Sequence, residues 1–416
     1  MPHDATSAHP GRSDDSKVAT SNARWYFTGL AASLVGNSAM SLVAGVWVKS
    51  LTGSSAQAGL VAACVYAATM AAPVAGLVAD RLPRRGLLLC LNVVAAITIA
   101  ALLFVRSRAD VWIVFVVMAA YGAEATLMDP AEDALFAQMF QSEFRQRING
   151  WRLTIQETGR LASPLLGAGL FVLLGGGAVA GLDAATFVFA ALMITRLRLK
   201  DVPPARSAQI ERLGPALLAG ISRIWRTQSL RAVAVAAAAV MALSGVGVAA
   251  QYSLVHGLGQ RPAFLGVLTA LLGAGSIIAA LSASRIIQRF GERWLAVVGL
   301  ANFAAGNLLR ADHWLPAAVC GSLVLGFALP YVFLATLNLA QRVTPNELQG
   351  RVSAALILAL FGPQAPMQAL GSLLISHASY ITIYIASAAL SLAIAFWLAL
   401  QATDQTETGE PHTGTA

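Results

Sequence analysis

Charge is scarce in this chain: Asp, Glu, Lys and Arg make up 12% of its 416 residues, against roughly 25% in soluble domains. With 57% hydrophobic residues, a water-soluble globule is excluded. Lysine is scarcer still. Lys17, Lys49 and Lys200 are the only three and none follows a glycine, so no P-loop can cradle a nucleotide and any driving energy must come from an ion gradient or a partner. Cys64, Cys90 and Cys320 fall in apolar runs without CxxC spacing, which supports neither a disulfide framework nor a zinc site. GxSxG and HExxH patterns are also missing, and the six histidines lie in the termini or at outer-side positions. No catalytic residue, metal or cofactor is expected.

What the chain does have is long apolar runs. A bilayer core needs roughly 20 apolar residues per helix, and twelve such segments are expected at 27–50, 57–80, 87–106, 111–138, 151–174, 178–195, 232–256, 264–287, 294–310, 314–341, 348–374 and 378–401. The expected fold is an all-α integral membrane protein of twelve transmembrane helices in two pseudo-symmetric six-helix bundles. The expected organisation is a disordered leader over 1–26, bundles at 27–195 and 232–401, a linker over 196–231 with an amphipathic stretch from Ala216 to Arg226, and a disordered tail over 402–416. The first apolar run follows a long polar leader and is too long for a signal-peptide core, so it reads as a span.

The net charge of +8 does not point to nucleic acid, because the basic residues alternate between loops. Arg81, Arg84, Arg85, Arg145, Arg147, Arg152, Arg285, Arg289, Arg293, Arg342 and Arg351 fall on the side of the leader, whereas Lys49, Arg106, Arg108, Arg261 and Arg310 fall opposite. By the positive-inside rule both termini are cytoplasmic and the protein sits in the cell membrane.

An internal echo supports two halves. Gly76-Leu-Val-Ala-Asp80-Arg81-Leu-Pro83-Arg84-Arg85 is matched at a constant offset by Ser284-Arg-Ile-Ile-Gln288-Arg289-Phe-Gly291-Glu292-Arg293, which keeps the shape and loses the acid. Secondary transporters are built this way, with the binding site between the repeats. The first run resembles the loop signature of the major facilitator superfamily. Gly159, Ser163, Pro164, Gly167 and Ala168 in the fifth span are similar to the antiporter motif of its drug-efflux families. Asp129-Pro130-Ala131, Leu182-Asp183-Ala184 and Gly350-Arg351-Val352 look like its macrolide-efflux and siderophore-exporter branch. The resemblance implies that Asp80 meets the start of the eleventh span near Gly350 and Arg351, and that Arg84 reaches Glu132 or Asp133 at the foot of the fourth. Together these form a latch between the halves. Alternatively, Arg81, Arg84 and Arg85 only fix topology and bind anionic membrane lipid.

Ionisable groups inside apolar spans are costly and thus functional candidates. Glu124 lies roughly 18 Å from the cytoplasmic end of its span at 1.5 Å per residue, near mid-membrane. It is the candidate for proton coupling, unless it is a hydrogen-bonded acid that never titrates. Asp129 and Arg160 have matching depths and invite pairing, and Glu157 offers Arg160 a second partner at i, i+3. A static clamp and a switch both fit. The branch often carries Gly-Asp where this chain has Gly36-Asn37, so Asn37 can supply only a hydrogen bond there. Asp183 reads as a helix N-cap. Asn37, Tyr66, Met70, Met128, Gln156, Tyr252, Tyr331 and Asn338 are candidates to line a cavity for a bulky, partly apolar solute, and Pro164, Pro363 and Pro366 are candidate bends.

The expectation is a monomeric, proton-coupled exporter of amphiphilic small molecules (drug, antibiotic or siderophore-like) working by alternating access. A solute uptake porter of the same fold is the nearest rival, ahead of a membrane enzyme or a non-transporting sensor.

Overall fold

The structure, a computed structural model, describes residues 11–71, 75, 82–140, 142–198 and 213–407. Its elements are α1 (Gly11–Thr52), α2 (Ser55–Ala67), α3 (Arg84–Ala100), α4 (Val111–Met139), α5 (Ser142–Thr195), α6 (Leu213–Arg226), α7 (Gln228–Gly257), α8 (Leu265–Arg310), α9 (Leu315–Val343), α10 (Asn346–Phe361), α11 (Gln364–Leu374) and α12 (Tyr380–Glu407). Helices are the only elements seen among the described residues. Hydrocarbon leaves backbone polar groups no partner but each other, so each span must satisfy them within itself.

Nine helices among the described residues are long and apolar enough to cross a bilayer. Gly175 and Gly291, at φ 80° and 84°, break α5 and α8 into two crossings each. The shorter α2 completes twelve, as expected. The break between α10 and α11 falls at Gly362 and Pro363, where proline cannot donate into the preceding turn. Helix also extends into the polar flanks that composition marks as disordered, since α1 begins at Gly11 and α12 ends at Glu407.

We call the side from which α1 enters the near face and the side it reaches the far face. Each half has its own apolar core. Met40, Leu88, Ile99, Met118 and Ala180 belong to the first, and Leu230, Val240, Leu300, Val332 and Leu356 to the second. Outward-facing Ile97, Phe104, Leu173 and Leu281 are exposed, as helices meeting acyl chains require. The echo in sequence is an echo in space. Arg84 donates to the Ala134 carbonyl at 3.1 Å, and Arg342 donates to Glu292 at 2.9 and 3.0 Å, each contact closing a gap of 50 residues. The repeat thus preserves the contact between loop and span foot while inverting which partner is basic.

The halves meet along the far face, in a seam of small residues. A Cβ on Gly59 of α2 would lie 2.5 Å from Ala249 Cβ and 2.7 Å from Ser372 Oγ, and Gly45 abuts the Tyr252 hydroxyl. Lys49, counted in the sequence as an outer-loop charge, is buried there instead. It donates to Ser55 Oγ at 2.8 Å, and Ser253 of the second half donates to the same oxygen at 2.8 Å. At the near face, Arg84, Arg85, Arg152, Arg293 and Arg342 each bind within their own half.

On the near face α6 lies against the second half. Gly220 packs on the Arg351 carbonyl and Arg223 donates to the Val343 carbonyl at 2.8 Å. Its other side exposes Leu218, Ile221 and Trp225, suited to a headgroup layer.

Filling the seam should open it. Gly59→Leu forces atoms into the space held by Ala249 and Ser372, and overpacking typically costs about 1–3 kcal/mol. In a background lacking the native cysteines, Ser253→Cys should react faster with a membrane-impermeant maleimide when Gly59→Leu is present. An unchanged rate would show that the close approach does not hold the far face shut.

Candidate functional site: an acid-lined cavity in the first half

One face of α4 carries the site. Tyr121, Glu124, Ala125, Met128, Asp129 and Glu132 recur at the helical repeat and line a cavity of about 90 Å3 with Leu30, Ser33, Leu34 and Asn37 of α1, Ala95 of α3 and Phe187 of α5. That volume holds several waters. Among the described residues, three that line the cavity are acids and none is basic. Eight residues separate Glu124 from Glu132, so the carboxyls descend roughly 12 Å along the helix at 1.5 Å per residue. Pro130 stands among them, and its missing N–H leaves the Thr126 carbonyl without its helical donor.

Glu124 is buried, and Thr98 of α3 donates to its Oε1 at 2.9 Å, whereas its Oε2 has no partner among the described residues. Asp129 is exposed and Glu132 half-buried. At the near-face end, Arg152 binds Asp133 and lies over the Phe136 ring at 5.1 Å. A smaller void continues from the cavity through Ser33, Leu30 and Glu132 toward Tyr26 and Asn92. The acids therefore run from mid-membrane toward the near face.

Several sequence expectations are corrected here. Arg84 reaches the foot of α4, but at the Ala134 carbonyl rather than at Glu132 or Asp133. The carboxylate of Asp133 is taken by Arg152, one turn nearer the mouth. Arg85 donates to the Thr195 carbonyl at 2.9 Å. Gly76, Asp80 and Arg81 lie outside the described residues, as do the side chains of Met70, Gln156, Glu157 and Arg160. The expected latch and the pairing of Asp129 with Arg160 therefore fall outside them too.

The solute candidates divide. Asn37 and Met128 line the cavity, and Tyr66 and Asn338 are exposed. Tyr252 is a seam residue instead, its hydroxyl against Gly45, and Tyr331 packs in the second core with its hydroxyl 2.7 Å from Ser282 Oγ. Apolar patterning cannot separate these, because a tyrosine facing a partner helix and one facing a cavity look alike in sequence.

The antiporter-like run sits at the seam. Gly159 and Gly167 let α5 approach α1 at Leu34 and Ala39, while Ala168 and the Pro164 carbonyl meet Gly266 of α8. Ser163 is fully buried.

Two residues escape the sequence reading. Asp183 is no N-cap: it lies inside α5, beyond the break at Gly175, and is 0% exposed. A Cβ on Gly36 would collide with its Oδ1. Arg310, counted as an outer-loop charge, is buried at the end of α8 and donates to Ser322 Oγ at 3.0 and 2.8 Å. In both cases the apolar pattern puts the charge at a span boundary facing outward, whereas the helix turns it into the packed interior.

Two repeated bundles around membrane-buried ionisable groups define the class, an integral membrane protein with the fold of secondary transporters. The chain belongs to the major facilitator superfamily, which its sequence matches over 26–258 and again over 232–415. No curated protein matches it in sequence. Its fold is similar to that of a point mutant of the nucleoside transporter NupG, at TM-score 0.74 and 13% identity, covering 92% of this chain and 99% of that one. It is also similar to a POT family transporter in complex with a thioalcohol-conjugated peptide (0.72, 11%, 92% and 96%). A third such structure is a bacterial homologue of the iron transporter ferroportin in an inward-facing state (0.67, 16%, 91% and 98%).

The cavity geometry makes a stability prediction. Glu124→Gln keeps an acceptor for Thr98 and should leave the thermal midpoint in detergent near that of the wild type. Glu124→Ala removes the acceptor and leaves a hole, a loss of about 1–3 kcal/mol. Equal damage from both substitutions would mean that a charged carboxylate holds the site together.

Proposed function

We propose that this protein is a proton-coupled exporter of amphiphilic small molecules, acting as a monomer in the cell membrane with both termini cytoplasmic. The observation that carries the reading is the cavity on α4, where Glu124, Asp129 and Glu132 face a space with no basic lining residue among the described residues. Such a surface selects protons and cationic solutes, and the Met128 and Phe187 side chains give it the apolar area that an amphiphile needs.

The near face is then cytoplasmic. With the far-face seam closed by Gly59, Ala249 and Ser372 and by Gly45 against Tyr252, the conformation is inward-facing, and solute enters from the cytoplasm toward Asp129. Rocking of the halves trades this seam for contacts at the near face. Direction follows from electrostatics: a cation and a proton compete for the same carboxyls, so loading one displaces the other. Competition of that kind is antiport. The antiporter-like run supports the same reading by its place, with Gly159 and Gly167 on α1 and Ala168 on α8, where the rocking motion must be sealed against leak.

Reconstituted vesicles test this with ethidium as a permanently cationic probe. For protein inserted with its near face outward, an acid lumen should drive ethidium inward, and Glu124→Gln should reduce that to the protein-free background. Uptake driven instead by an acid exterior would identify a symporter, and transport unaffected by Glu124→Gln would reject the assignment of Glu124.

A further inference from the structure

We propose that Asp183 is a second proton carrier, paired with Glu124 across the interface of α1, α4 and the second part of α5, so that the site loads two protons rather than one. The inference rests on the export reading for its purpose, but its physical case is independent. Asp183 is 0% exposed, and its Oδ2 finds no hydrogen-bond partner among the described residues. Only Thr186, one turn along its own helix, approaches Oδ1, at 3.4 Å. Glu124 Oε2, the Tyr121 hydroxyl and Asn37 Oδ1 are also without partners among the described residues, and these three side chains line the adjoining cavity. A buried carboxylate without a counter-ion costs several kcal/mol, and no basic side chain among the described residues lines the adjoining cavity. Protons are the cations that fit.

The surroundings are arranged for this. Gly36 of α1 lies directly against the carboxyl, and a Cβ there would collide with both Asp183 Oδ1 and Thr186 Oγ1. Its neighbour Asn37 lines the cavity, as does Phe187 one turn beyond Asp183, its ring 6.1 Å from that of Tyr121. A glycine at this point leaves Asp183 one backbone thickness from the water-sized space that Glu124 already lines. A small displacement of α1, of the kind rocking requires, would hydrate it. Among the described residues, the titratable group facing it is Tyr121 of α4, which also interacts with Glu124. α1 contributes Gly36 and uncharged Asn37, and α5 itself contributes Thr186.

The chemistry is a plain proton transfer. An O–H bond on the Asp183 carboxyl breaks, and the proton passes to a cavity water or to the carboxylate of Glu124. The charge left behind then repels ionisation of its partner. Release is sequential, and the apparent midpoints belong to the pair rather than to either residue.

Infrared difference spectroscopy on the full-length purified protein, titrated over pH, reads this without cargo. The expected result is two protonated-carboxyl C=O bands that disappear in separate steps, one missing in Asp183→Asn and the other in Glu124→Gln. In Asp183→Asn the remaining band should be lost at lower pH than in the wild type, since the repulsion is gone. Gly36→Ala, which keeps both acids, should shift the frequency of the Asp183 band alone and guards against failure of Asp183→Asn to fold. An Asp183 band that persists unchanged at every pH, or an Asp183→Asn protein whose Glu124 band titrates as in the wild type, would overturn the proposal. Ethidium transport separates the two readings: export lost in Glu124→Gln with a pH-independent Asp183 band sinks only the second carrier.

Discussion

The cost of placing a carboxyl group in hydrocarbon governs this molecule. An ion there loses water, and the loss is tolerable only if the charge is paired, hydrated or neutralised. The acids along one helical face and its neighbours differ in setting. Asp133 is paired with Arg152 at the mouth, Asp129 stays exposed, and Glu124 and Asp183 are buried with one oxygen each left open. The gradation runs from the near face to mid-membrane. A chain needing only stability would have replaced these acids with apolar residues of similar size.

The second constraint is that two halves must separate without exposing backbone. Small residues meet this at the far face, where Gly59 and Gly266 allow backbones to touch, and Val46 and Ala58 of the first half share a buried apolar cluster with Leu254, Val255 and Leu268 of the second. The polar clasp through Ser55, shared by Lys49 and Ser253, crosses the halves by hydroxyl contacts, which exchange readily for water when the seam parts. By contrast, contacts that keep each half rigid are stronger: the Glu292–Arg342 fork and the Arg84–Ala134 bond hold loop to span within a half. Rigid bodies that meet along one seam are what alternating access requires.

Much of this was legible in the chain. Hydropathy and the alternation of arginines sufficed for twelve crossings, because hydrocarbon admits few other backbone solutions. The repeat of Gly76 to Arg85 at Ser284 to Arg293 revealed the two halves, and Glu124 stood out by its depth. What could not be read was orientation about a helix axis and the exact ends of spans. Tyr252 and Tyr331 differ in role through the neighbours they face, and Arg84 meets a carbonyl while Arg152, further on in the sequence, holds Asp133. Asp183 and Arg310 are hidden for a related reason. A charge near the end of an apolar run looks like a loop residue until a partner such as Gly36 or Ser322 is brought against it.

The central claim is that proton occupancy of the buried carboxyls biases which face of the molecule is shut. Pulsed electron–electron resonance between spin labels on α2 and α7, placed across the far-face seam, tests it directly. The wild-type distance distribution should change between acid and alkaline pH, and in the double variant Glu124→Gln/Asp183→Asn it should be fixed. A pH response that survives in the double variant, or a wild type that shows none, would contradict the account.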